Sequence, residues 1–80
     1  MDIGTATRIR ILNLCKEHGL SLNMLATVSG ITQSTLQNVT SGRNKSTTVS
    51  TVKKICDGLG ITVREFFDDD IFDNLEQEIK

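Results

Sequence analysis

Apolar residues recur at helical period along most of the chain, and nowhere do they alternate with polar ones for long enough to argue for a strand. Ile9, Leu12 and Cys15, three apart, predict a first helix from about Ala6 to Glu17, ended by His18-Gly19. Ser21 is placed to cap a second helix, Leu22 to about Ser29, because its hydroxyl can accept a bond from a free backbone N–H of the first turn. Thr32 caps a third, Gln33 to about Ser41, which Gly42 stops. After the polar stretch Arg43 to Thr47, Thr48 caps a fourth with one apolar stripe of Val49, Val52, Ile55, Cys56 and Leu59, and Gly58 and Gly60 mark its fraying end. Thr62 opens a fifth with a capping box, since Glu65 stands three residues on. Leu20 ahead of Leu25, Ile31 ahead of Leu36 and Ile61 ahead of Phe66 are spaced as hydrophobic staples. From Asp68 to Lys80, Ile71, Phe72, Leu75 and Ile79 keep helical spacing among acids, which allows a sixth helix.

The pattern predicts an all-α, compact five-helix domain over residues 1–68, followed by an acidic amphipathic tail over residues 69–80. A chain of 80 residues makes a single core, burying roughly 60% of the surface its unfolded form would expose. Cys15 and Cys56 each lie among apolar neighbours and far apart in sequence, so they read as buried free thiols rather than as metal ligands or a disulfide framework. No run reaches the ~18 apolar residues of a spanning helix, and there is no apolar stretch of a secretory signal at the start. The expected setting is the cytoplasm.

Charge changes the picture only when it is divided along the chain. The net charge is −1. Residues 1–64 carry eight Lys and Arg against three Asp and Glu, a balance of +5, while residues 65–80 carry seven acids against Lys80 alone, a balance of −6. A basic body with an acidic tail is compatible with a nucleic-acid partner, which the total charge conceals.

Between Leu22 and Val39 residue types fall where two short helices crossing steeply through a tight turn need them. Ala26 is small where the helices approach, Gly30 sits four residues later in the turn, and Leu25, Ile31, Leu36 and Val39 are the core positions. The segment GLSLNMLATVSGITQSTLQNVTSGRNK resembles the helix-turn-helix of the phage-repressor type, the Cro/Xre-like family, and TVSTVKKICDGLGITVREFF resembles the fourth and fifth helices that close such domains. The resemblance runs from Ala6 to about Phe67. It implies a lambda-repressor-like bundle that binds double-stranded DNA, commonly as a transcriptional repressor and often as a homodimer on a two-fold symmetric operator. Several positions depart from the family's pattern: Cys15 and Thr40 replace an arginine and its glutamate partner together, Ser29 stands at a usually apolar place, and the loop after the third helix lacks proline. Loss of both charged partners permits a neutral contact, whereas loss of one would leave a costly unpaired charge. Ser29 is expected either to soften packing near Gly30 or to bond back to its own helix.

Residue chemistry and resemblance select the same contacts. The N-terminal end of the second motif helix is the part that reaches base edges, which nominates Gln33, Ser34, Gln37 and Asn38. Gln and Asn amides both donate and accept, so Gln33 and Asn38 are the expected readers of adenine in the major groove. Ser34 is small enough for close approach, and Thr35 offers a methyl to thymine or a hydroxyl to phosphate. Ser21, with the free N–H groups that open the second helix, and Arg43, Asn44 and Lys45 after the third are the expected phosphate anchors. Arg8, Arg10, Lys53 and Lys54 read as surface charges that raise the local potential.

No cofactor, metal site or small-molecule pocket is legible. His18, the sole histidine, stands at a helix end without a sequence partner that would make a nucleophile or metal site, so catalysis is not expected. The competing functional class is a protein-interaction module on the same scaffold, such as an antitoxin, an anti-repressor or a regulatory subunit, because fold alone does not decide function. The tail keeps that alternative open: its apolar side completes the core, forms a dimer seam or docks a partner. Its acids also raise the question of competition with DNA for the basic face.

Overall fold

The computed structural model of the chain describes residues 1–42 and 46–79. Five helices follow one another: α1 (Ile3–Glu17), α2 (Leu22–Ser29), α3 (Gln33–Thr40), α4 (Val49–Leu59) and α5 (Val63–Phe66), and a single 3-10 turn spans Asp70–Phe72. There is no strand among the described residues. The all-α, five-helix expectation holds.

Helix α1 starts three residues earlier than its apolar spacing implies, because the Asp2 carboxylate accepts the Thr5 backbone N–H at 2.7 Å and caps it. Its buried face also differs. Ala6, Thr7, Arg10, Ile11, Leu14 and Cys15 point inward, while Ile9 and Leu12 lie half-buried on its flanks. The inward row includes two polar residues, so counting apolar residues alone selected the neighbouring row.

One device repeats at three of the helix junctions. After α1, α2 and α4 a left-handed glycine (Gly19, Gly30, Gly60) is followed by an apolar residue and then by the cap of the next helix. The apolar residue's N–H reaches back to the preceding helix: Leu20 to the Cys15 carbonyl at 2.9 Å, Ile31 to Ala26 at 3.1 Å and Ile61 to Cys56 at 3.0 Å. These are Schellman closures. The next residue then accepts from the new helix, as Ser21 does from Met24, Thr32 from Thr35 and Thr62 from Glu65. Three consecutive residues thus stop one helix, aim the chain at the core and start another. The capping box of α5 is complete, with the Thr62 N–H donating to the Glu65 carboxylate at 2.9 Å.

The core joins Ile11, Leu14, Leu25, Leu36, Val39, Val52, Ile55, Cys56 and Phe66, with Ile31, Leu59, Ile61 and Phe72 packed around it. The most extensive helix pairing is α2 on α4. Gly58 permits it: a Cβ there would fall 2.7 Å from Ser29 Oγ and 2.9 Å from the Val28 carbonyl oxygen. Gly58 therefore lies inside α4 at a close helix crossing and does not mark a fraying end. Ser29 does not bond back to its own helix; its buried hydroxyl has no hydrogen-bond partner among the described residues. Val49, expected in the apolar stripe of α4, is 79% exposed, because the first turn of that helix projects beyond the core.

Two further expectations are corrected beyond α5. Arg10 is not a surface charge: it is buried, and its guanidinium donates to the Phe66 carbonyl at 2.7 Å, the Glu65 carbonyl at 2.9 Å and the Asp69 carboxylate at 3.2 Å. The tail is not a sixth helix. Asp69 is extended, its carboxylate accepts the Ile71 N–H at 2.9 Å, and only one 3-10 turn follows. Phe72 packs on Phe67 and Phe66 with ring centroids 5.0 and 6.4 Å apart. The chain then runs back beside its own beginning, where the Glu76 N–H donates to the Met1 carbonyl at 3.0 Å.

Candidate nucleic-acid interface

The site is built on the α2–α3 junction. Gly30 takes φ of +67°, its N–H closes onto the end of α2, and Thr32 already caps α3, so only Gly30, Ile31 and Thr32 separate the two helices. Ala26, Leu25, Leu36 and Val39 are buried as their motif positions demand. With its apolar side thus committed, α3 turns Gln33, Ser34, Thr35 and Gln37 to solvent, while Asn38 is half-buried.

Each nominated residue has a definite local setting. Ser21 is exposed and caps α2, accepting the Met24 N–H at 3.2 Å. Thr35 is tied to the cap of its own helix: its N–H donates to Thr32 Oγ1 at 3.1 Å, and the Thr32 hydroxyl donates to Thr35 Oγ1 at 2.8 Å. Gln33 and Gln37 line a cleft of about 120 Å³ together with Leu22, Asn23 and Leu36. Asn23 was not among the expected contacts. It brings a third exposed amide beside those two glutamines, and its place in the first turn after the Ser21 cap is the signal that marks it. Arg43, Asn44 and Lys45, the expected phosphate anchors, lie outside the described residues.

Among the remaining candidate cations, Lys53 is paired with Asp57 one helical turn away in α4, and that carboxylate raises its pKa above the ordinary lysine value. Burial pushes the thiols of Cys15 and Cys56 above their ordinary pKa, which keeps both neutral and unactivated. Thr40, standing where relatives carry a glutamate, donates its hydroxyl to the Leu36 carbonyl at 2.9 Å, and Cys15 is buried as a free thiol, so neither leaves an unpaired charge. No group of three His, Cys, Asp or Glu side chains able to hold a metal exists among the described residues. No described helix is long and apolar enough to cross a membrane.

Comparison with known proteins bears on the same segment. The helix-turn-helix family profile matches residues 11–66. The crystal structure of prophage Lp1 protein 11 superposes with a TM-score of 0.78 at 36% sequence identity, over 86% of this chain and 92% of that one. No curated protein sequence matches the chain. The profile spans α2, the turn and α3 and continues through α4 to Phe66, where the buried ring closes the core. The chain belongs to the Cro/C1-type helix-turn-helix family of DNA-binding regulators.

Proposed function

We propose that the protein is a sequence-specific transcriptional regulator, a repressor in type, that reads the major groove of double-stranded DNA with α3. The observation that carries this reading is the exposed row of amides and hydroxyls on α3, Gln33, Ser34, Thr35 and Gln37 with Asn38 at its edge, on a helix held by its buried side and by a three-residue turn. Gln33 and Asn38 read bases, because each amide matches the donor and acceptor pair that adenine presents in the major groove. Ser21 and the first-turn N–H groups of α2, with Arg43, Asn44 and Lys45, hold phosphates and set the register. A homodimer would place two copies of α3 on half-sites about 34 Å apart.

A protein-interaction module is the second reading, favoured by the exposure of Met24 and Val28, one turn apart on α2. Selection from a random duplex library at one fixed low salt concentration separates the two. The expected outcome is a two-fold symmetric motif that relaxes in Gln33→Ala and Asn38→Ala, each losing about 1–3 kcal/mol of discrimination at its base. Absence of enrichment transfers the function to a protein partner.

A further inference from the structure

Two clefts meet where α2 begins beside α3, and one apolar side chain belongs to both. Leu22, the first residue of α2, lines the cleft of about 120 Å³ with Asn23, Gln33, Leu36 and Gln37, and a second cleft of about 340 Å³ with Leu12, Gln37, Thr40 and Ser41. It is half-buried: part of the side chain packs against the core, and the rest is open to the clefts.

The smaller cleft joins aliphatic surface to a polar rim. Leu36 is buried and, with Leu22, supplies the aliphatic part. Asn23, Gln33 and Gln37 are exposed, and the two glutamines stand one turn apart on α3. Its volume is several times the ~30 Å³ share of a water molecule, which is close in size to a methyl group, so a methyl enters it readily. In the major groove thymine is the base that presents a methyl, at C5, while its adenine partner presents the acceptor and donor that an amide matches. One A·T pair therefore offers both kinds of surface side by side. The cleft answers both, with amides for the adenine edge and leucines for the methyl.

We propose that Leu22, backed by Leu36, is a specificity-determining residue that receives the C5-methyl of a thymine at or next to the base pair read by Gln33. The proposal rests on the DNA-binding reading above and deepens it, because an amide row alone selects adenine edges and is indifferent to the methyl. The leucine adds discrimination against cytosine, which has no C5-methyl and presents a donor where thymine presents an acceptor. Taking one methyl out of water corresponds to roughly a threefold to fourfold gain in affinity.

The test uses the full chain and the duplex motif that library selection yields, with each thymine in turn replaced by deoxyuridine, which removes the methyl and keeps the pairing and the O4 acceptor. Affinity is expected to fall about threefold to fourfold at one thymine per half-site, within one base pair of the position that relaxes in Gln33→Ala. In Leu22→Ala, duplexes with thymine and with deoxyuridine at that place are expected to bind alike. Should Leu22→Ala lose its helical circular dichroism at the assay temperature, the location of the methyl-sensitive thymine, measured with the parent and Gln33→Ala, still decides. A selected motif in which no thymine responds to loss of its methyl overturns the leucine cleft and leaves DNA binding intact. A response remote from the base of Gln33 does the same, as does one that persists in Leu22→Ala, which transfers the contact to another side chain such as Thr35. If the library yields no motif, the DNA-binding reading falls and the cleft falls with it.

Discussion

At the level of single residues, Ser29 and Gly58 show how a position that looks like a defect is set by its neighbour. Relatives usually place an apolar residue where Ser29 stands, yet the space above it is closed by the α4 backbone at Gly58. Alanine at 58 would gain about 1 kcal/mol of helix propensity. Against that, its Cβ would meet the Val28 carbonyl oxygen at 2.9 Å and the Ser29 nitrogen at 3.0 Å, and backbone atoms inside α2 cannot rotate away as a side chain can. The clash wins, so Gly58→Ala is expected to lower stability by about 1–2 kcal/mol, measured by urea unfolding. Ser29→Ala should move the other way or not at all. It removes a buried hydroxyl that bonds to none of the described residues, and it gives Gly58 slightly more room, an effect of up to about 1 kcal/mol in favour of the fold. A destabilised Ser29→Ala protein would mean that its hydroxyl has a partner in solution.

At the level of elements, the short helices depend on their ends. Helix α3 has eight residues and α5 four, well below the length at which an isolated helix persists in water. Gly30 therefore governs α3 twice over, by ending α2 in a left-handed conformation and by placing Thr32 at its cap. Gly30→Ala has open space for its methyl but the wrong backbone for it, and should cost about 1–2 kcal/mol; Gly30→Asn, which tolerates that conformation, should lose less. Thermal melts of the two variants check the order. These ends were legible in the sequence because a cap or a left-handed glycine acts on residues within three or four positions of itself. Ser21, Thr32, Thr48 and Thr62 all cap where their identities and spacing place them. The segment after α5 was not legible. Ile71, Phe72, Leu75 and Ile79 keep helical spacing, but the path of the chain is set at Asp69 by a guanidinium 59 positions earlier, and local periodicity contains no trace of that contact. The turn and its exposed amide row on α3 were readable; the first-turn place of Asn23 after the Ser21 cap was readable too, but its position beside Gln33 and Gln37 is set by the packing of α2 on α3.

At the level of the whole molecule, Arg10 closes the fold. It reaches from the middle of α1 to two carbonyls at the end of α5 and to Asp69 beyond it, across sequence separations of 55, 56 and 59 residues. The last carbonyls of a helix have no partners within it, and they form the negative end of its dipole, so a cation there satisfies bonds and charge together. Three donors of one planar group meet three acceptors, a geometry that a lysine ammonium on a flexible stem does not reproduce. A domain of 80 residues has a total stability on the order of 4–12 kcal/mol, which makes the loss of this one side chain a large fraction of the whole. Arg10→Ala is expected to cost about 2–4 kcal/mol, since it takes the guanidinium donor from the Phe66 carbonyl, leaves the Glu65 carbonyl to backbone donors such as the Asp68 N–H at 3.2 Å, and opens a void beside the core. Arg10→Lys should recover less than half of that loss. Asp69→Asn is the milder change, because its carboxylate is about one-third exposed and water can take the place of the guanidinium, so a cost below about 1 kcal/mol is expected. Urea unfolding of the three variants measures the series. A lysine variant as stable as the parent would show that charge alone, rather than the fork of donors, joins α1 to the end of α5. An Asp69→Asn protein as weak as Arg10→Ala would move the closure from the α5 carbonyls to the ion pair.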